Sequence, residues 1–177
     1  GIVAKRLGLP VSHFVASPNS NDTVPRYMQT QDYLPKLSKQ TISNAMDVGN
    51  PSNFIRIQSL YGNDFDALKQ DFSSYAYNDV ETTLALAELH QKHNYIADPH
   101  GAVGYLGLQH FLANNPDHYG VFLETAHPIK FRETVEETLG LTLEIPTQIQ
   151  HILDKTPEKT SLSGYDAFKD YLLSQAV

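Results

Sequence analysis

The sequence contains no cysteine, so it can form neither a disulfide framework nor a thiolate metal site. A chain without cysteine fits a reducing compartment, and we expect a cytoplasmic location. Basic residues are also few, 13 against 20 acidic ones, and they are scattered along the chain. A protein that binds the phosphate backbone needs a basic stripe, so nucleic acid is not an expected partner.

Long apolar runs are absent as well. The longest, such as 14–16 and 121–123, reach at most the length of a strand, whereas a membrane-spanning helix needs about 20 apolar residues. We therefore expect no membrane partner. The 177 residues are 41% hydrophobic and 19% charged, which is typical of one globular domain with a substantial core.

Helical and strand-like segments alternate along the chain, which is typical of an α/β fold. A helical pattern over 1–9 precedes a buried strand at 11–16, and further strands are predicted at 73–77 and 120–124. Helices exceed strands in number, and they are predicted near 24–28, 54–70, 81–93, 128–139, 146–153 and 165–175, with another that starts at 98–100.

The first helical segment begins without a capping residue. Ile2, Val3 and Leu7 already follow helical spacing, and no Ser, Thr, Asp or Asn precedes them. A helix start leaves several backbone N–H groups without partners, and such side chains normally satisfy them. Either a tag was removed ahead of Gly1, or the chain begins inside a helix whose cap lies upstream of Gly1, and we expect the second.

The helix predicted over 81–93 has a clear start signal. Asn78 is followed three residues later by Glu81, the pattern of a capping box, in which each side chain bonds the backbone N–H of the other. Leu84, Ala87 and Leu89 are expected to point from this helix into the core.

Four polar clusters lie where predicted strands end or helices begin, at 19–23, 41–53, 98–104 and 124–127. Open α/β sheets bind ligands beyond the carboxyl ends of their strands, so these clusters form the candidate site. The densest, 41–53, is rich in Asn and Ser. It can offer amide and hydroxyl donors to an anion or an amino acid, or its side chains can satisfy its own backbone.

Two of the other clusters also leave alternatives open. Thr125 directly follows a predicted strand, where a hydroxyl can bond a ligand, or it simply caps the helix that starts at Pro128. His100 lies at a helix start opened by Asp98 and Pro99. It is a candidate phosphate ligand or general acid–base, or a hydrogen-bonded structural residue. The histidines show no spacing typical of a zinc site, so no metal site is expected.

The four clusters together resemble bacterial and fungal-type threonine synthases, in the same order along the chain. The matching segments are 19–27, 41–54, 98–104 and 125–131. The most specific run within them is Ser43-Asn44-Ala45-Met46-Asp47-Val48-Gly49-Asn50. The resemblance extends from Gly1 to about Phe131.

The resemblance implies an α/β fold that is the C-terminal portion of a fold-type II pyridoxal-phosphate enzyme, similar to the β subunit of tryptophan synthase. Such an enzyme is a carbon–oxygen lyase that converts O-phosphohomoserine and water to L-threonine and phosphate. The resemblance also implies that the Schiff-base lysine and the loop that binds the cofactor phosphate lie upstream of Gly1. Residues 1–177 would then form the C-terminal part of the large cofactor-binding domain, inactive alone and unable to retain pyridoxal 5'-phosphate.

Site residues are carried over from the resemblance one by one. Thr125 is similar in position to the hydroxyl that faces the pyridine nitrogen of the cofactor in fold-type II enzymes. Candidates for contacts with the cofactor or substrate are Asn21, Asp22, Ser43, Asn44, Asp47, Asn50 and His100. Gly101 departs from the threonine that the family often has there, so a hydroxyl contact at that position is not carried over.

Two other functions fit the same fold. One is a catalytically silent binding module, and the other is a different fold-type II amino-acid lyase such as a threonine dehydratase. The run at 43–50 argues against the dehydratase, which is not expected to carry it. The full protein is expected to be a monomer or a homodimer. The isolated chain is expected to self-associate, because a truncated sheet exposes a strand edge and an apolar face.

Overall fold

The structure is a computed structural model that describes residues 1–152, 155–156 and 158–175. The chain divides into two compact units, Gly1–Leu143 and Glu144–Val177. The first contains α1 (Ile2–Arg6), β1 (Phe14–Ala16), α2 (Thr23–Thr30), α3 (Phe54–Leu60), α4 (Phe65–Asp71), β2 (Phe72–Ser74), α5 (Asp79–His93), α6 (Pro99–Asn114), a 3-10 helix (Pro128–Phe131) and α7 (Arg132–Leu139). The second contains α8 (Thr147–Gln150) and α9 (Tyr165–Gln175).

The two strands pair in parallel, with Phe14 opposite Phe72 and Ala16 opposite Ser74. Helices α2, α3 and α4 form the crossover between them, as parallel strands require. Helix α6 packs against β1, α5 packs against α6, and α7 packs against α5. Helices therefore exceed strands in the part of the chain that the structure describes, and the predicted α/β class is confirmed.

Two apolar clusters form the core of the first unit. One joins α5 to α6 through Ala85, Leu86, Leu89, Ala97, Ala102 and Tyr105. The other packs Phe72 of β2 against residues of α2, α3 and α4, namely Tyr27, Met28, Phe54 and Leu68. Within the described ranges, no helix combines the length and apolar character needed to cross a membrane.

The capping box of α5 is confirmed. Asn78 Oδ1 accepts from Glu81 N at 3.0 Å, and Glu81 Oε2 accepts from Asn78 N at 2.8 Å. Leu89 is buried as expected, but Leu84 is 66% exposed, so its predicted inward position is wrong. The buried stripe of this helix has the spacing i, i+3, i+4, i+7 and consists of Thr82, Ala85, Leu86 and Leu89.

The helix predicted over 54–70 is in fact two helices, α3 and α4. The backbone between them takes positive φ angles at Gly62 (64°) and Asn63 (59°). This left-handed conformation cannot continue a right-handed helix. Asp64 then caps α4 by accepting a hydrogen bond from Ala67 N at 3.0 Å. Apolar spacing continues across the break, which is why periodicity alone predicted one helix.

The strand predicted over 120–124 does not form, since the sheet consists of β1 and β2 within the described residues. The side chains alternate as in a strand. Phe122 packs against Tyr105 of α6, whereas Val121 and Leu123 are 87% and 76% exposed. Alternating apolar residues indicate that one face of an extended segment is buried. A β-strand also needs a neighbouring strand to which its backbone can hydrogen-bond.

Two smaller differences concern helix ends. The helix predicted over 128–139 consists of a 3-10 turn followed by α7. The helix predicted over 146–153 is confirmed only as the single turn α8, and Leu153 lies outside the described residues. The helix predicted over 165–175 is present as α9 with the same bounds.

Candidate functional site

A cavity of about 250 Å³ lies beyond the carboxyl end of β1. Three of the four polar clusters line it: the segment after β1, the loop 41–53 and the start of α6. The main lining side chains are Asn19, Asn21, Ser43, Met46, Val48 and His100. Among the described residues of this lining, only His100 is titratable, and the other polar groups are neutral amides and hydroxyls.

The carboxylate of Asp47 holds the loop 41–53 in place. Its Oδ1 accepts hydrogen bonds from Asn19 Nδ2 at 3.0 Å and from Asn21 Nδ2 at 3.2 Å. Thr41 donates twice, from Oγ1 to Oδ1 at 2.8 Å and from its backbone N–H to Oδ2 at 3.0 Å. Asp47 therefore joins the loop to the segment after β1 and positions the two asparagines that line the cavity.

The other candidates from the loop and from the start of α2 lie in different surroundings. Ser43 is buried at the cavity wall, with its Oγ 3.3 Å from Thr41 Oγ1. Asn44 is half-buried. Asn50 is exposed, and its Oδ1 accepts a hydrogen bond from Tyr33 Oη at 3.0 Å. The structure thus brings Ser43 to the cavity and places Asn50 away from its lining.

Asp22 pairs with Arg26, with 3.0 Å between Oδ1 and Nε. Burial by itself would raise the pKa of Asp22. The hydrogen bond and charge of Arg26 outweigh that effect and lower the pKa below its usual value. Asp22 precedes α2 but makes no cap hydrogen bond with its side chain. The structure therefore places it in an ion pair that lies outside the cavity lining.

Thr125 is exposed and is not part of the cavity lining. The cap of the following 3-10 helix is His127, whose Nδ1 accepts a hydrogen bond from Ile129 N at 3.1 Å. The alternative that Thr125 is merely the cap of this helix is therefore wrong. Its role toward a cofactor stays a prediction.

His100 is fixed by Asp98, the fully buried cap of α6. Asp98 Oδ1 accepts from His100 N at 2.7 Å and lies 2.7 Å from His100 Nδ1. On its other side, His100 Nε2 accepts a long hydrogen bond of 3.4 Å from Ala45 N. Because a backbone N–H can only donate, this geometry assigns the proton to Nδ1 and leaves Nε2 unprotonated. The ring thus connects α6 to the loop 41–53.

Glu124 lies beside Asp98, and its Oε1 accepts a hydrogen bond from Asp98 N at 3.2 Å. Burial and the neighbouring Asp98 carboxyl raise the pKa of Glu124 to about 8. Burial would also raise the pKa of Asp98, but hydrogen bonds from His100 and Glu124 outweigh it and lower the pKa to about 2. At neutral pH, Glu124 is therefore protonated and Asp98 ionised.

Asn19 and Glu124 belong to this site but were not among the candidates from the sequence. Asn19 opens a cluster that the sequence did single out, so its proximity to Asn21 was the available signal. Glu124 likewise opens the cluster 124–127, but nothing in the sequence pairs it with Asp98, which lies 26 residues earlier in the chain. Within residues 1–152, 155–156 and 158–175, no three His, Asp or Glu side chains are arranged to hold a metal ion.

The sequence of the chain is similar to those of threonine synthases. The family model described as "Threonine synthase, C-terminal" matches residues 101–172. Threonine synthase from Escherichia coli (strain K12) is 44% identical over 154 residues, which are 87% of this chain and 35% of that protein. Threonine synthase from Haemophilus influenzae is 44% identical over 147 residues, which are 82% of this chain and 33% of that protein.

Solved structures agree with the sequence comparison. The crystal structure of threonine synthase from Escherichia coli matches with a TM-score of 0.89 and 39% identity, over 99% of this chain and 40% of that one. The PLP-bound threonine synthase from Brucella melitensis matches with a TM-score of 0.84 and 25% identity, over 98% of this chain and 42% of that one. The chain thus spans less than half the length of these relatives, and the resemblance seen in the sequence is confirmed.

Proposed function

We propose that this chain is the C-terminal part of a threonine synthase, which uses pyridoxal 5'-phosphate to convert O-phosphohomoserine and water to L-threonine and phosphate. The observation that carries the proposal is the shared fold over 99% of the chain. The chain spans only 35% of the Escherichia coli relative. The activity is therefore proposed for a longer protein that contains these residues together with the Schiff-base lysine and the phosphate-binding loop.

The cavity fits one wall of a site for the cofactor and an amino-acid substrate. Small-molecule pockets combine apolar side chains with a few precisely oriented polar groups. Here Met46 and Val48 supply apolar surface, while Asn21 and Ser43 supply neutral hydrogen-bonding groups. Among the described lining residues there is no lysine or arginine, so we assign the charged phosphate groups to residues outside this wall.

When bound, pyridoxal phosphate supplies an electron sink for carbanions at Cα and Cβ of an amino acid. His100 lines the cavity, and its unprotonated Nε2 is engaged only by the long hydrogen bond from Ala45 N. A group bound there that displaces this contact could donate a proton or a hydrogen bond to Nε2. Asp98 keeps the ring in that tautomer. Thr125 is the proposed neutral partner of the pyridine nitrogen, which would stay largely unprotonated beside a hydroxyl.

Phosphate release from O-phosphohomoserine tests this proposal. The purified chain and the full-length protein that contains it would each be assayed with added pyridoxal phosphate. We expect release by the full-length protein alone, because the chemistry requires residues that the relatives have beyond this chain. Release by the 177-residue chain would contradict that requirement.

The same assay separates the alternatives. A folded full-length protein that binds the substrate without releasing phosphate would be a silent binding module. Release of ammonia from threonine would indicate a threonine dehydratase. His100→Asn should slow phosphate release, whereas His151→Asn, at an exposed position of the second unit, is the matched control and should not.

A further inference from the structure

Two buried oxygens beside the cavity have no hydrogen-bond partner among the described residues, Asp98 Oδ2 and Glu124 Oε2. Buried polar atoms almost always have partners, so each such atom requires an explanation. Here the two atoms belong to carboxyl groups of residues in direct contact, since the backbone N–H of Asp98 donates to Glu124 Oε1 at 3.2 Å. Two ionised carboxyl groups have only acceptors, whereas one proton between them makes a donor and an acceptor. A single shared proton thus accounts for both atoms.

Gly101 provides the space for this contact. A Cβ atom at position 101 would lie 2.6 Å from Glu124 Cδ, far inside the contact distance of two carbon atoms. The carboxyl group of Glu124 therefore rests directly on the backbone of the first turn of α6. Any side chain at position 101 would push that group away from Asp98.

We propose that Glu124 is a positioning residue, which as a neutral carboxylic acid donates a hydrogen bond to Asp98 and thereby fixes the Asp98–His100 pair at the cavity wall. The exchange is reciprocal, because the backbone N–H of Asp98 donates to Glu124 Oε1 at 3.2 Å. Asp98 Oδ1 is occupied by the backbone N–H and ring of His100. The proton on Glu124 is therefore donated to Asp98 Oδ2, and the contact of Asp98 Oδ1 with the imidazole is unchanged.

The surroundings favour the neutral form of Glu124. The titratable groups that act on the pair are His100 in α6 and Tyr95 in the segment before α6. From the 3-10 helix, Phe131 meets the His100 ring edge-on at 5.1 Å, an apolar contact. Burial and the charge of Asp98 therefore keep the pKa of Glu124 at about 8, and loss of the proton above that pH sets two negative charges against each other.

Infrared spectroscopy of the full-length protein that contains this chain, with ¹³C-labelled glutamate, tests the protonation. We expect the C=O band of a protonated carboxylic acid at neutral pH, and its loss as the pH rises through about 8. Glu124→Gln should abolish the band, whereas Glu137→Gln, at an exposed position of α7, should keep it. Absence of the band in the wild type, or its survival in Glu124→Gln, would overturn the proposal.

The effect on His100 is measured by ¹⁵N NMR of its ring. The wild type should show the Nδ1-protonated tautomer, and Glu124→Gln should retain it, because the glutamine amide can also donate to Asp98. Glu124→Ala and Gly101→Ala should shift the ring toward a mixture of tautomers. An unchanged tautomer in both would show that Glu124 does not position His100.

These outcomes are separate from those of the activity assay. The importance of His100 for a bound ligand rests on the proposed function, but the shared proton and the tautomer do not. A protein that releases no phosphate can still show the acid band, and an active one can lack it.

Discussion

Replacing Glu124 by glutamine should make the protein progressively more stable than the wild type as the pH rises toward 8. The folded state raises the pKa of Glu124 from 4.5 to about 8. Between these values the folded protein keeps a proton that the unfolded chain has lost, so wild-type stability falls with rising pH. Glutamine has no such proton, and the decline is absent. Asp98 does not contribute to this change, because its folded pKa of about 2 and its usual value of 3.8 both lie below the range.

The size of the effect follows from the shift. One pKa unit corresponds to about 1.4 kcal/mol, so the rise to about 8 sets an upper bound of about 5 kcal/mol at pH 8. Glu124 as a whole is only half-buried, and screening by the nearby solvent reduces the interaction. We therefore expect the gap in the free energy of unfolding to grow by about 2–3 kcal/mol between pH 5 and 8.

Urea unfolding of the full-length wild type and variant across this pH range measures the gap. Glu137→Gln, on the exposed face of α7, is the matched control and should follow the wild type at every pH. A gap that stays constant from pH 5 to 8 would refute a proton held by Glu124. A gap of opposite sign would mean that the ionised carboxylate is stabilised by a positive charge.

Three further substitutions test the loop, the core and the proposed cofactor contact. Asp47→Ala removes the acceptor of four hydrogen bonds and should lower the free energy of unfolding, measured by urea titration, by about 2–4 kcal/mol. The control Asp32→Ala, at an exposed position, should leave this free energy nearly unchanged. Leu86→Ala, in the core, should lower the free energy of unfolding by about 2–5 kcal/mol, and exposed Leu84→Ala should lower it by less than about 0.5 kcal/mol. Equal losses of stability in thermal unfolding would contradict the packing of α5. Thr125→Val in the full-length protein should lower kcat for phosphate release with little change in the unfolding midpoint, and unchanged kinetics would exclude the proposed contact.

Local features of the fold could be predicted because both partners lie within a few residues. The capping box of Asn78 and Glu81 and the cap formed by Asp98 are examples. The segment 120–124 shows the limit of such patterns. Its alternation is the same whether it pairs with a strand or lies unpaired against a helix, and only the neighbour in space decides between them. Leu84 illustrates a similar limit, since its burial depends on where α6 and α7 pack around α5.

The convergence of polar clusters on one cavity was also predictable, but the roles of the individual residues were not. Clusters that follow β1 or begin α6 must converge, because α6 packs on β1. The side chains of Asn21 and Asp47, however, are both short and polar, and their positions in the sequence do not distinguish their roles. Which of them lines the cavity and which holds the loop depends on how the loop turns, and that depends on contacts between distant segments. The role of Glu124 could be inferred only from its contact with Asp98 in the structure.

The carboxyl groups around the cavity differ in the donors that reach them. Asp47 accepts four hydrogen bonds from the asparagine-rich segment and its own loop. Asp98 accepts from the backbone and ring of His100. Glu124 receives a single backbone N–H, and its other oxygen has no hydrogen-bond donor among the described residues. Because a buried carboxylate needs donors to remain ionised, the negative charge resides on Asp98 and the proton on Glu124. The hydrogen-bond donors available at the start of α6 thus determine which tautomer His100 adopts beside the cavity.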